Sequence, residues 1–201
     1  MNKIFQVAVV LILLSLLGCR SASYYFNKAK TYSQSGLYTK ALRNYNKAIK
    51  NDSSLTEAYY YRGRTKQYLN QYQSAINDFN KLIQINPEDK RGYFGRGWAK
   101  KQLGLINEAI IDYNKAIEFA PKDSRIYKYR GYAKHSLGDL EGALEDFSIA
   151  IKINHKDPHS FYNRGLIYQK LGDLIVACAD WNEAFRLGHN EANKLLEEFC
   201  N

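Results

Sequence analysis

Proline is scarce in this chain, with three in 201 residues, so long stretches are free to form unbroken helix. Two of the three, Pro87 and Pro121, stand 34 residues apart, where a proline can stop one helix without damaging the next. Histidine is also sparse: the four copies are dispersed, and no serine or cysteine has a His/Asp partner at a recognised spacing. No enzyme, cofactor or metal site is therefore expected. The segment His155-Lys156-Asp157-Pro158-His159 has no second ligand cluster and reads as a solvated turn. The longest apolar run, Val7 to Leu14 continued by Ser15, Leu16 and Leu17, falls short of the roughly 20 residues a spanning helix needs. Carboxylates are missing altogether between Cys19 and Asn51.

What the chain does contain is a beat of 34 residues. Ala41, Ala75, Ala109, Ala143 and Ala177 keep it, as do Gly63, Gly97, Gly131 and Gly165 and the large rings Tyr45, Phe79, Tyr113, Phe147 and Trp181. Such a period marks a two-helix unit that cannot bury its apolar face alone and must stack on its neighbours. In residues 56–89 the first helix is expected from Ala58 to Leu69 and the second from about Gln73 to Ile85, with Asn70 and Gln71 turning between them. Moved by 34, the same bounds give pairs near 24–51, 92–119, 126–153 and 160–187. Gly36, Gly104, Gly138 and Gly172 fall where a left-handed residue closes the first helix.

Glycine inside a helix costs about 1 kcal/mol relative to alanine, so the four mid-helix glycines need a packing reason. The expected one is close approach of the second helix of the same unit, with its alanine opposite and the large ring filling space toward the next unit. Arg62, Arg96, Arg130 and Arg164 sit beside those glycines at the same interval, which suits a structural role, holding helix ends or turns.

The pattern resembles the tetratricopeptide repeat (TPR). Its marks are Tyr59, Gly63, Ala75, Phe79 and Pro87 in the second unit; Tyr93, Gly97, Ala109, Tyr113, Ala116 and Pro121 in the third. The fourth unit carries Tyr127, Gly131, Gly138, Ala143, Phe147 and Ala150, and the fifth Phe161, Gly165, Gly172, Ala177, Trp181 and Ala184. The first is degenerate, with Ala29 in the glycine slot and Ser53 in place of proline. The resemblance implies an all-α, right-handed α-solenoid of five repeats, at about 22–55, 56–89, 90–123, 124–157 and 158–188. Residues 189–201 then read as a capping helix, apolar at Ala192, Leu195, Leu196 and Phe199.

The resemblance also implies a concave face lined by the first helices, where family members hold peptide segments or partner domains. Facing inward there should be Tyr60, Arg64, Phe94, Trp98, Lys128, Tyr132 and Tyr162, flanked by Arg91, Lys101 and Arg125. Rings with guanidinium groups suit an extended segment carrying acidic and aromatic side chains. The expected function is thus a scaffold binding a partner protein. The alternative is a structural component that self-associates without a dedicated peptide ligand, and homo-oligomers stay open.

The N-terminus points to export. Lys3 precedes the apolar run, which has signal-peptide length and closes on Leu16-Leu17-Gly18-Cys19, a sequence that looks like a bacterial lipobox. On that resemblance residues 1–18 are a lipoprotein signal peptide, Cys19 is lipidated, and 19–21 form a short tether. Arg20 beside the cysteine lacks the aspartate linked to inner-membrane retention, which favours the periplasmic face of the outer membrane. The net charge of +9 would raise nucleic acid as a partner in a cytosolic protein, and export removes that reading. Envelope proteins and the membrane are the expected partners.

The charge is uneven: 22 basic against 9 acidic side chains over residues 19–138, and 6 against 11 over 139–201. The basic end should therefore lie close to anionic headgroups or form a solvated face. Cys178 occupies the slot of Leu42, Ile76, Ile110 and Leu144, facing the cap that carries Cys200. A disulfide and two buried thiols both fit that placement.

Overall fold

A computed structural model describes residues 20–200; the expected signal peptide over residues 1–18 and the expected lipidation site Cys19 lie outside the described residues. Eleven helices follow one another, and no strand occurs among the described residues. They are α1 (Ala22–Gln34), α2 (Tyr38–Asn51), α3 (Thr56–Tyr68), α4 (Tyr72–Ile85), α5 (Lys90–Gln102) and α6 (Ile106–Phe119). After them come α7 (Ser124–Ser136), α8 (Leu140–Ile153), α9 (Pro158–Lys170), α10 (Leu174–Arg186) and α11 (Ala192–Phe199). Each odd helix packs on the even one after it and each even helix on the next odd one, so the ten form a solenoid closed by α11 against α10. The odd helices α1, α3, α5 and α7 also touch side by side, which lines up one continuous face.

Turn chemistry sets the boundaries. Gly36, Gly104, Gly138 and Gly172 have φ between 73° and 85°, and Asn70 takes the same left-handed slot at 57°. Asparagine is the residue most able to replace glycine there, so the beat survives without it. The odd helices begin two residues earlier than the periodicity suggested, at Thr56 rather than Ala58. In α5 and α7 an aspartate sets this start: Asp89 accepts from the Arg91 amide and Asp123 from the Arg125 amide.

The mid-helix glycines are seats for rings. A Cβ on Gly63 would stand 2.9 Å from the Phe79 ring, and one on Gly165 would stand 2.6 Å from Trp181. The ring therefore rests on the glycine of its own unit, and the expectation that it mainly fills the gap toward the next unit is incomplete. Phe79 does both, because it also crowds Gly95 of the following unit. The alanines Ala75, Ala109, Ala143 and Ala177 are fully buried beside these rings.

Tyr113 fills the ring slot with a cost that Phe79 and Phe147 avoid and Tyr45 shares. It is fully buried, its hydroxyl has no hydrogen-bond partner among the described residues, and burial pushes its pKa far up. Phe79 and Phe147 fill the same slot without a hydroxyl. Tyr113→Phe should therefore stabilise the chain by about 1 kcal/mol. Urea unfolding followed by circular dichroism would register this as a higher midpoint; a lower one would mean that the hydroxyl is engaged.

A buried ionic rail ties the units together. Asp78, Asp112, Asp146 and Asp180 are at most 4% exposed and lie on α4, α6, α8 and α10. Each receives the arginine beside its unit's glycine: Arg62, Arg96, Arg130 or Arg164, at 2.5–2.7 Å. Three of these arginines also reach back to the preceding unit, at 2.7 Å from Asn46, Asn80 and Asn114, while Arg164 reaches Ser148 at 3.1 Å. A lysine one turn on, Lys66, Lys100 or Lys134, completes the first three sites. One guanidinium thus holds three helices in register, rather than a helix end or a turn.

Candidate functional site

The continuous face of α3, α5 and α7 holds the site. Tyr60, Arg64 and Tyr68 recur every fourth residue on α3, Phe94 and Trp98 stand four apart on α5, and Arg125 and Tyr129 do so on α7, so each set shares one helix face. Together with Gln67, Asn70 and Gly95 they wall a cavity of about 460 Å³. Beside it a small cleft of about 40 Å³ brings Arg91 and Lys90 against Tyr60, Arg64, Phe94 and Arg125. On the other side of Arg64 a third cavity of about 330 Å³ opens between α1 and α3, walled by Lys30, Tyr38, Tyr45, Tyr61 and Tyr68.

The aromatic walls hold one another in place. Phe94 meets Tyr129 edge-on at 5.3 Å, Tyr72 meets Trp98 edge-on at 5.8 Å, and Tyr38 stacks on Tyr68 at 5.3 Å. Gln67 is buried and donates to the Gly95 carbonyl at 2.8 Å, which fixes α3 against α5 at the cavity floor.

Charge in the groove is unevenly compensated. Arg91 pairs with Glu57 at 2.6 Å and Asp89 at 2.7 Å while lying over the Tyr60 ring at 4.8 Å. Its bonds to Asp89, and then to Glu57, hold its pKa far above the usual guanidinium value. Arg125 and Lys90 both contact Asp123 at 2.8 Å. Arg125 first, and Lys90 with it, hold that carboxyl well below the ordinary carboxylate range. Arg64 differs. Among the described residues its guanidinium donates only to two phenol oxygens, those of Tyr60 and Tyr68, each at 3.2 Å. Burial works against its charge, and the two tyrosines more than offset that effect.

Of the residues singled out in the sequence, Tyr60, Arg64, Phe94, Trp98 and Arg125 share the large cavity, and Arg91 joins them through the cleft. The other four lie apart. Lys128 is tied to Asp157 at 3.0 Å, and Tyr132 packs on Phe147 at 5.3 Å with burial raising its pKa. Tyr162 stacks on His189 at 4.1 Å under the cap, and Lys101 is outside the lining of all three cavities. The repeat position of Tyr60 and Phe94 walls the cavity in units two and three, whereas Lys128 and Tyr162 at that position in units four and five engage Asp157 and His189. Tyr68 and Tyr129 escaped the sequence reading, although each stands four residues after a groove arginine.

Among the described residues no group of three or more His, Cys, Asp or Glu could hold a metal ion. No helix among them is long and apolar enough to cross a membrane.

Models of the tetratricopeptide repeat match residues 22–54, 56–89 and 91–123, and a TPR repeat model matches 131–172. The chain belongs to the TPR family. No curated protein sequence matches it. Among solved structures, MamA from Desulfovibrio magneticus is similar over 84% of this chain and 96% of its own, at 20% identity and a TM-score of 0.76. YrrB, described as a TPR protein with an unusual peptide-binding site, covers 86% of this chain and 90% of its own, at 24% identity and a TM-score of 0.69. The pilF protein of Pseudomonas aeruginosa covers 83% of this chain and 76% of its own, at 18% identity and a TM-score of 0.77. These likenesses speak for the TPR fold, which matches the helix order seen here.

Proposed function

We propose that this TPR protein is a scaffold that holds an extended segment of a partner protein along the face of α3, α5 and α7. The observation that carries this reading is the 460 Å³ cavity walled by Tyr60, Phe94, Trp98 and Tyr129 with arginines at its rim. Apolar concavities with a few convergent polar groups are where ligands bind, and rigid rings supply contact area at small entropic cost. YrrB, on a similar fold, is described as having a peptide-binding site, which supports peptide binding as the use of this one.

The scaffold is proposed to be exported and lipid-anchored through Cys19, with the outer membrane as its site and an envelope protein as its partner. Three features support this. The apolar run and lipobox-like end precede the first helix by only a few residues. Cys178 and Cys200 stand bonded, which fits an oxidising compartment. Near the N-terminus Arg20, Lys40 and Lys47 lie over Tyr24, Tyr32 and Tyr25 at 4.4, 5.9 and 5.3 Å, a cationic and aromatic surface suited to anionic headgroups.

The test is crosslinking and pulldown from envelope membranes with three forms: native, Cys19→Ala, and the pair Trp98→Ala with Arg64→Glu. The paired change should abolish partner capture while leaving helical content intact. Capture that survives it would end the groove reading, and Cys19→Ala that stays in the membrane fraction would end the anchor.

A further inference from the structure

Resting on the groove reading above, we propose that Arg64 selects a single carboxylate on the bound segment, which also sends an aromatic or large apolar side chain into the cavity on each side of it. Arg64 is the one side chain that walls all three groove cavities. It stands with Tyr68 between the 330 Å³ space formed with α1 and the 460 Å³ space formed with α5 and α7. A chain crossing from one to the other passes over its guanidinium.

The rim cations on the α5 and α7 side already have carboxylates, while Lys30 on the α1 side lies over the Tyr61 ring. Arg91 has Glu57 and Asp89, and Arg125 and Lys90 share Asp123. Arg64 has no carboxylate within 4.0 Å among the described residues. Two of its five N–H groups go to phenols at 3.2 Å, and the others find no acceptor in the described chain. A partly buried cation that leaves most of its donors unused is held ready for an anion, because a bidentate carboxylate bond is charge-assisted and shorter than these. Rings around it exclude water and strengthen the bond.

The charge count chooses among anions. On the α5 and α7 side the ion pairs around Arg64 leave about one net positive charge, which matches a carboxylate and not a phosphate of charge near −2; the further charge of Lys30 lies on the α1 side. The repeat also orders the readout along the groove. The Arg64 slot holds Lys30 in the unit before and Trp98 in the unit after, so charge is read on the α1 side and rings on the α5 side.

The experiment uses the full-length chain in mild detergent and fluorescence anisotropy with labelled synthetic peptides. The first probe has a glutamate between two phenylalanines, the second replaces the glutamate by glutamine, and the third by phosphoserine. Native protein should bind the glutamate peptide about ten- to a hundredfold more tightly than the glutamine peptide, the range expected when a charge-assisted bond becomes a neutral one. Arg64→Met should bring that ratio close to one, and Arg64→Lys should restore part of it, so a fold defect in one variant does not decide the result. Trp98→Ala should weaken both peptides alike and leave the ratio unchanged.

Equal binding of glutamate and glutamine peptides, or a ratio that persists in Arg64→Met, would overturn the selector role. In either case continued sensitivity to Trp98→Ala would leave the groove itself standing. Tighter binding of phosphoserine would overturn the carboxylate assignment. Failure of all three peptides to bind would overturn the proposed register, and partner capture by the native chain would then decide the groove reading separately.

Discussion

Asp146→Ala should destabilise the protein by about 3–5 kcal/mol, the range found when one member of a buried ion pair is removed. Asp146 is fully buried and takes Arg130 at 2.6 Å and Lys134 at 3.1 Å. Alanine would leave both cations, whose side chains are each 17% exposed, without their anion. The loss would not stay within one unit, because Arg130 also holds Asn114 on α6 at 2.7 Å. In a solenoid stability is close to a sum of unit and interface contributions. A lesion that weakens unit four and its junction with unit three should therefore separate the two ends of the array. Urea titration should show a lower midpoint and a broader transition than the native chain gives. A control separates the ionic from the packing contribution: Arg130→Met, Lys134→Met and Asp146→Leu together should recover most of the loss, since an apolar replacement of a whole buried network is often neutral or better. If Asp146→Ala instead unfolds at the native midpoint, the rail contributes register and not stability.

How much of this was legible beforehand depends on the kind of contact. The helix pairs, the left-handed turns and the ring seats repeat at 34 residues, and a repeated contact leaves a repeated residue. The arginines of the rail were visible for the same reason, and so were their partners: Asp78, Asp112, Asp146 and Asp180 keep the beat, three residues after each alanine. Sixteen positions separate Arg62 from Asp78, too far for any rule of helix spacing, so the pairing needed the packed helices to appear. The groove was legible only in part. Which residues should face inward is implied by the family resemblance, and Tyr60, Arg64, Phe94 and Trp98 wall one cavity. Whether a position is open or covered depends on neighbours in other units. Tyr132 and Trp98 share a slot, yet Phe147 and Tyr129 cover the first while the second walls a cavity. The difference between Arg64 and Arg91 was equally invisible, because Glu57 lies 34 residues before Arg91 and reaches it only across the unit boundary.

Removing the bond between Cys178 and Cys200 should cost about 3 kcal/mol, the chain-entropy expectation for a loop of this size, with 22 residues of sequence separation. The argument for its importance comes from what α11 is without it. The helix has 8 residues, too few to persist alone in water, and it packs through Leu195, Leu196 and Phe199 onto the buried face of α10. Beneath it lies Trp181, fully buried, 6.0 Å from the Phe199 ring. A terminal unit that loses its cap exposes the apolar surface that every other unit hides in its neighbour. Cys178→Ser with Cys200→Ser should therefore lower the melting temperature and raise amide exchange first in α11, before any other helix loosens. Tryptophan emission should shift to the red as Trp181 meets water. Because the effect is that of a crosslink and not of a side chain, native protein treated with a thiol reductant should behave like the double variant, and reductant should leave the variant itself unchanged. Native protein whose melting and emission ignore the reductant would show that packing of Leu195, Leu196 and Phe199 holds the cap by itself.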